Sequence, residues 1–235
     1  MHRFLLVAAA LALAPQAAAG DCASAPLQAK VVTKAGAEIP SDGGILVAST
    51  YTSGPVAEKN EDAVQSGWRL RGKKLTAPKI DVLAPGLAVY RVVFDGPAAV
   101  ELEDADHKVV ATVTASKAKA TAIAAPKVKS LVFTQTMSRH SSQVATVQLS
   151  ADPPAGATAL VLVGQKGKAT SWGEVVPGRV QAPYAHDDCA MLPNGSSAPV
   201  AGEAVTLFWV FPDGRRSEAS APVKVTSKSL KPNPY

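Results

Sequence analysis

From residue 28 onward the chain reads as short β-prone runs separated by Gly, Pro, Asp and Asn. Valine and threonine dominate the runs, and the breaks recur at the spacing of about 8–12 residues expected of all-β folds. The pattern predicts strands over 28–34, 45–50, 68–71, 79–83, 88–94, 99–103 and 108–114. A second series covers 129–135, 143–149, 159–163, 205–211 and 222–226. Alternation assigns faces within such runs. In Trp68-Arg69-Leu70-Arg71 it turns Trp68 and Leu70 inward and leaves both arginines in solvent. Helical periodicity is nearly absent, apart from a short polar turn over 58–65.

The first residues follow a different pattern. His2 and Arg3 precede an unbroken apolar stretch from Phe4 to Leu13; Pro15 then breaks it, and Ala17-Ala18-Ala19 supplies small residues. That order is the order of a cleavable secretory leader. The apolar stretch is too short for a spanning helix, which needs about 20 residues. Cleavage is expected after Ala19, with Gly20 the next choice. Asp21 ahead of Cys22 argues against lipid attachment. The mature chain is therefore expected to be secreted or periplasmic, with no membrane span after cleavage.

Between the two strand series lies 115–126, rich in alanine and lysine and ending in proline, which reads as a junction with little to bury. The halves also echo each other. Gly86-Leu87-Ala88-Val89 opens a strand that ends in Phe94-Asp95-Gly96, and Gly202-Glu203-Ala204-Val205 opens one that ends in Phe211-Pro212-Asp213-Gly214. Earlier in each half a Pro/Gly turn runs into an aliphatic strand, 40–47 and 153–161, and each half closes on a Val/Thr strand. The preserved order favours two copies of one small fold.

Over most of the mature chain this arrangement resembles tandem immunoglobulin-like or fibronectin type III-like domains. The best local match is the C-terminal hairpin, where Val205, Leu207, Trp209 and Phe211 alternate before the Pro212-Asp213-Gly214 turn. Tyr90 is near the place of a tyrosine corner in the first half, but Thr206 occupies its counterpart. The two-cysteine pattern of antibody domains is missing, since each half holds one. The resemblance implies an all-β chain of two tandem antiparallel β-sandwich (Ig-like) domains after a signal peptide. Their expected bounds are 1–19 leader, 20–114 first domain, 115–126 linker, 127–227 second domain and 228–235 flexible tail.

Composition changes this picture little. Lys+Arg 24 against Asp+Glu 19 gives +5, or +4 once Arg3 leaves with the leader. The charges are scattered, and the densest basic stretch, 68–74, has the strand alternation noted above. No aromatic interleaving suited to base stacking accompanies it, so nucleic acid is not an expected partner. The two cysteines, Cys22 and Cys189, are expected to meet an oxidising compartment. One bridge between them is favoured over an intermolecular disulfide or two free thiols.

The chain carries no G-x-S-x-G elbow, H-E-x-x-H, phosphate-cradling Gly-Lys-Ser/Thr loop or dinucleotide fingerprint. Within 184–189, Tyr184, His186, Asp187, Asp188 and Cys189 gather imidazole, carboxylates and sulfur that a divalent metal can use. No second cluster completes four ligands, so a polar loop anchored by a disulfide is the preferred reading, with no metal and no cofactor. Residues 103–107 look calcium-like but lack the loop motif's glycine and distal glutamate, which favours a hairpin turn. Trp172, in the less regular 169–174, joins Tyr184, His186, Asp187 and Asp188 as a candidate interaction surface. The expected function is a non-enzymatic exported protein acting through another protein or as an envelope component. A periplasmic chaperone-like protein, or a hydrolase or ligand-binding protein with its site between the domains, are the alternatives.

Overall fold

The computed structural model describes residues 28–50, 67–73, 75, 79–84, 86–94, 96–118, 121–136, 142–164, 169–176, 179–186 and 202–230. The leader, Cys22, the 58–65 turn, Asp187, Asp188, Cys189 and residues 231–235 lie outside them. Among the described residues every regular element is a strand.

The first half supplies β1 (Gln28–Val31), β2 (Glu38–Ile39), β3 (Gly44–Thr50), β4 (Arg69–Arg71), β5 (Lys79–Ala84), β6 (Leu87–Arg91), β7 (Ala98–Glu103) and β8 (Val109–Ala115). They form two four-stranded sheets, β1-β3-β6-β5 and β2-β8-β7-β4. Ile39, Ile45, Val47, Tyr90, Leu102 and Val113 fill the core of this half. The first predicted strand, 28–34, ends at Val31 because the chain changes sheets there. Gly36, at φ +74°, donates its N–H to the Thr112 carbonyl at 2.7 Å and turns the chain into β2, which pairs parallel with β8. That strand order is the immunoglobulin arrangement of an A-B-E-D sheet facing a C-F-G sheet.

Tyr90 therefore lies in β6, beside β3 and β5, and not at a tyrosine corner. It is buried, with its ring centroid 6.3 Å from that of Trp68, and burial pushes its hydroxyl well above the usual tyrosine range. The alternation predicted for 68–71 holds: both arginines are exposed and Leu70 is partly buried.

The second half supplies β9 (Val128–Thr136), β10 (Ser142–Leu149), β11 (Ala159–Val163), β12 (Ala169–Val176), β13 (Arg179–His186), β14 (Ala204–Val210) and β15 (Val223–Leu230). These close into a ring in the order β10-β13-β12-β11-β14-β15-β9. Closure comes from β9, which pairs antiparallel with β10 and parallel with β15, and so removes the sheet edges. Leu131, Leu160, Leu162, Val205, Leu207 and Trp209 make its core.

Three strands escaped the sequence pattern. β2 is only two residues long. β12 and β13 carry Gly173 and Pro183, both strand breakers on paper. β12 pairs with β13 only across 179–181, so Pro183 sits where no β12 ladder requires its missing N–H. The tail expected from residue 228 is corrected as well, because β15 pairs with β9 as far as Leu230. The junction is also less idle than its composition suggested. Ser41 N–H donates to the Ala118 carbonyl, Glu218 N–H donates to that of Ile123, and Ile123 packs against the barrel core.

Four strands are buried on both faces. In β3, Ile45 and Val47 point into the first core, while Leu46 and Ala48 point away from it; in β6, Tyr90 and Val89 divide likewise. In the barrel, Leu160 and Leu162 of β11 and Leu207 and Trp209 of β14 point inward. Their neighbours Ala159, Val161, Phe208 and Val210 point out, and meet Leu46, Ala48, Leu83, Leu87 and Val89 in a third apolar core between the halves. This explains why these strands read as continuous apolar runs, as doubly covered strands do. By contrast β8, covered on one face, has the buried-exposed alternation of Ala111 to Ala115.

Candidate functional site

Among the described residues, the seam between the halves combines a shared apolar core with a hydrogen-bonded turn. Its lock is the turn after β14. Phe211 accepts the Gly214 N–H at 2.9 Å and donates to the Arg215 carbonyl at 3.0 Å, which closes the turn. Asp213 braces it by accepting Arg215 Nε at 2.7 Å. The exposed carbonyls of the turn then face the first half. Gly44 N–H donates to the Asp213 carbonyl at 2.7 Å, Arg91 Nη1 donates to that of Gly214 at 3.1 Å, and the Thr33 hydroxyl donates to that of Pro212.

The approach is so close that side chains are excluded. A Cβ at Gly43 would stand 2.6 Å from the Asp213 carbonyl oxygen, and one at Gly214 would stand 2.8 Å from that of Gly44. Gly214 also has φ +74°, which favours glycine on its own account. Arg91 ties the lock to its own sheet, donating to Asp81 Oδ2 at 2.7 Å and to the Asp42 carbonyl at 2.7 Å. Burial pushes the Asp81 carboxyl up, but hydrogen bonds and charge from Arg91 and Lys79 outweigh it and hold the group below the usual aspartate value.

Beside the packed seam a cavity of about 310 Å³ opens between the halves. Val32, Leu46 and Leu87 line it from the first half, and Ala157, Ala159 and Trp172 from the second. Lys30 and Glu174, both exposed, stand on its lining, one from each half. The Thr158 hydroxyl on the same wall is already donated to the Val210 carbonyl at 3.1 Å. A broader opening of about 620 Å³ is lined by Val82, Ile123, Phe208 and Arg216, whose guanidinium lies 5.7 Å from the centre of the Phe208 ring.

The outer face of β2-β8-β7-β4 is a second candidate surface. Arg69 opposes Glu103 and Arg71 opposes Glu101 across β4 and β7, and Glu101 opposes Thr112 of β8. Glu103 is buried beneath the arginines, with Arg71 Nε at 2.9 Å and Arg69 Nε at 3.3 Å. Arg69 Nη2 also meets His107 Nε2 at 3.0 Å. His107 belongs to the β7–β8 hairpin turn, in which Asp104 Oδ1 accepts the N–H of Asp106 and of Lys108 at 3.0 Å each. The stretch that looks calcium-like thus uses its second carboxylate, Asp104, to shape a turn.

The sequence-derived surface is only partly placed. Trp172 is in a regular strand, β12, opposite Val161, and is half-buried against the seam core, so its surroundings include the chain's own first half. Tyr184 and His186 belong to the end of β13 and pair with Gln143 and Ser142, a strand position where a loop was expected. Asp187, Asp188 and both cysteines lie outside the described residues. Among the described residues no three His, Cys, Asp or Glu side chains gather as a metal would require, and no helix is long and apolar enough to cross a membrane. Nothing in the sequence marks Thr33, Gly43, Gly44, Arg91 and Gly214 as partners of one another. Their only sequence signals were two turn motifs, which say nothing of what a turn docks against.

No family model matches the chain, and no curated protein matches it. Solved structures do. Tandem Ig repeats of Dlar are 13% identical, with a TM-score of 0.30, over 87% of this chain and 100% of that one. The fibronectin(III)-like modules of Clostridium thermocellum CbhA are 13% identical, with a TM-score of 0.26, over 86% and 95%. The Yersinia pseudotuberculosis adhesin InvE is 15% identical, with a TM-score of 0.18, over 85% and 58%.

Proposed function

We propose that this is an exported, non-enzymatic β-sandwich protein, secreted or periplasmic, that acts by binding another protein or as an envelope component. The observation that carries the reading is the seam. By joining two β bodies through a shared apolar core and a hydrogen-bonded turn, it fixes the orientation of the outer β2-β8-β7-β4 face. That face presents Arg69, Arg71, Glu101, Thr112 and Thr114 to solvent. A flat polar array on a rigid frame suits recognition through a hydrogen-bonded interface. The described carboxylates Asp81, Glu103, Asp104 and Asp213 hold strands and turns, which supports a structural use of charge over a chemical one.

The test is crosslinking of the mature protein in an envelope extract, with Arg71→Glu as the face variant and Lys224→Glu as a control on β15. A partner lost with Arg71→Glu and kept with Lys224→Glu supports the reading. Equal capture by both variants, or no partner at all, sinks it. The intact mass of the exported chain tests the leader, with a mature start at Gly20 or Asp21 expected and a retained Met1 opposing it.

A further inference from the structure

We propose that the cavity between the halves binds a small zwitterion with a flat apolar body, of the size and charge of an aromatic amino acid. Between the halves, beside the apolar core they share, about 310 Å³ is left open. That is at the lower end of the range of small-molecule sites, about 300–1,000 Å³. It holds the volume of about ten waters, at roughly 30 Å³ each, which a single ring with a short head group fills.

The lining sets the chemistry. Leu46, Leu87, Val32 and Ala159 give an apolar floor, and the half-buried Trp172 offers an aromatic wall for stacking. The charges are one of each sign and come from opposite halves: Lys30 from β1 and Glu174 from β12. A purely anionic ligand pairs with Lys30 alone and is repelled by Glu174, and a purely cationic one the reverse. A zwitterion answers both, its carboxylate to Lys30 and its ammonium to Glu174. Because the walls come from both halves, the ligand also bridges the seam.

The site shares no residue with the β4–β7–β8 face, so its failure leaves the interaction reading untouched. The experiment is isothermal titration of the mature protein with L-phenylalanine, with tryptophan emission recorded in parallel. Glycine lacks the apolar body, while 3-phenylpropionate and 2-phenylethylamine each lack one charge. L-Phenylalanine is expected to bind saturably, one per chain, and to shift tryptophan emission in the native protein but not in Trp172→Phe. The single-charge analogues, and the variants Lys30→Met and Glu174→Gln, should each bind about three- to fivefold more weakly, as exposed ion pairs do. Glycine should give no saturable heat. Ala157→Leu, which adds bulk to the lining, should abolish binding while the thermal melt stays cooperative. No saturable signal from L-phenylalanine overturns the proposal. So does unchanged binding in both charge variants, or undiminished binding in a folded Ala157→Leu protein.

Discussion

Replacing Gly214 by alanine asks whether the turn after β14 locks the two halves together. At φ +74° an L-residue costs about 1–2 kcal/mol by its backbone alone. The added Cβ would stand 2.6 Å from Val89 Cγ1, 2.8 Å from the Gly44 carbonyl oxygen and 3.0 Å from the Gly44 nitrogen. Two of these atoms are backbone of the opposite half and cannot swing aside as a side-chain tip can. The turn must therefore withdraw, lengthening the bonds from Gly44 to Asp213 and from Arg91 to Gly214. Overpacking of this kind costs about 1–3 kcal/mol, which brings the expected loss to about 2–5 kcal/mol. Gly156→Ala is the matched control. It has φ +84° but nothing within 4 Å of the new Cβ, so only the backbone cost applies. Urea unfolding followed by tryptophan fluorescence measures both. The native protein and Gly156→Ala should unfold in one transition of equal slope. Gly214→Ala should have a lower midpoint and a broader transition, as the halves cease to melt together. Equal losses in the two variants would refute the reasoning.

Arg91→Met removes a charged donor shared by Asp81, Asp42 and Gly214 and should cost about 2–4 kcal/mol in the same melt; a change near zero would show that Arg91 carries no seam energy. The depressed Asp81 pKa makes a signed prediction. Such a carboxylate stabilises above its unfolded value, near pH 4, and loses that contribution as pH falls through the folded value. The advantage of the native protein over Asp81→Asn should therefore shrink below about pH 4, and a difference unchanged by acid would contradict it. If Cys22 and Cys189 are bridged within one chain, a non-reducing peptide map recovers them as one peptide pair, and reduction lowers stability by at most about 5 kcal/mol. Alkylation of both thiols without reductant would rule the bridge out.

How far the fold can be read in the sequence depends on what covers each strand. β7 and β8 are covered on one face, and their alternation predicts both the strands and the inward residues Leu102, Ala111 and Val113. β12 and β13 are invisible for a local reason: Gly173 and Pro183 break the propensity, whereas ring closure supplies partners that propensity does not count. The seam is the hardest case. Gly43-Gly44 and Pro212-Asp213-Gly214 announce turns, but that one turn seats on the other is a long-range fact. The carbonyls that meet there are backbone, and backbone leaves no trace in composition.

The internal echo has a cause other than the one it suggests. Its order favours two copies of one fold, yet the matched segments are not equivalent strands. The run 45–47 belongs to β3, which pairs with β6, where the second echo lies. Their counterparts are β11 and β14, which also pair with each other. By the letters of an immunoglobulin sandwich the first pair is B with E and the second C with F, so the echo is one strand out of step. What the four strands share is position: each faces its own core on one side and the seam on the other. A strand dry on both faces has no polar alternation to display, and becomes a solid aliphatic run entered through a Gly or Pro turn. The likeness between the halves therefore follows from their contact with each other, whatever their ancestry, and among the described residues the two strand pairs buried on both faces mark where one half meets the other.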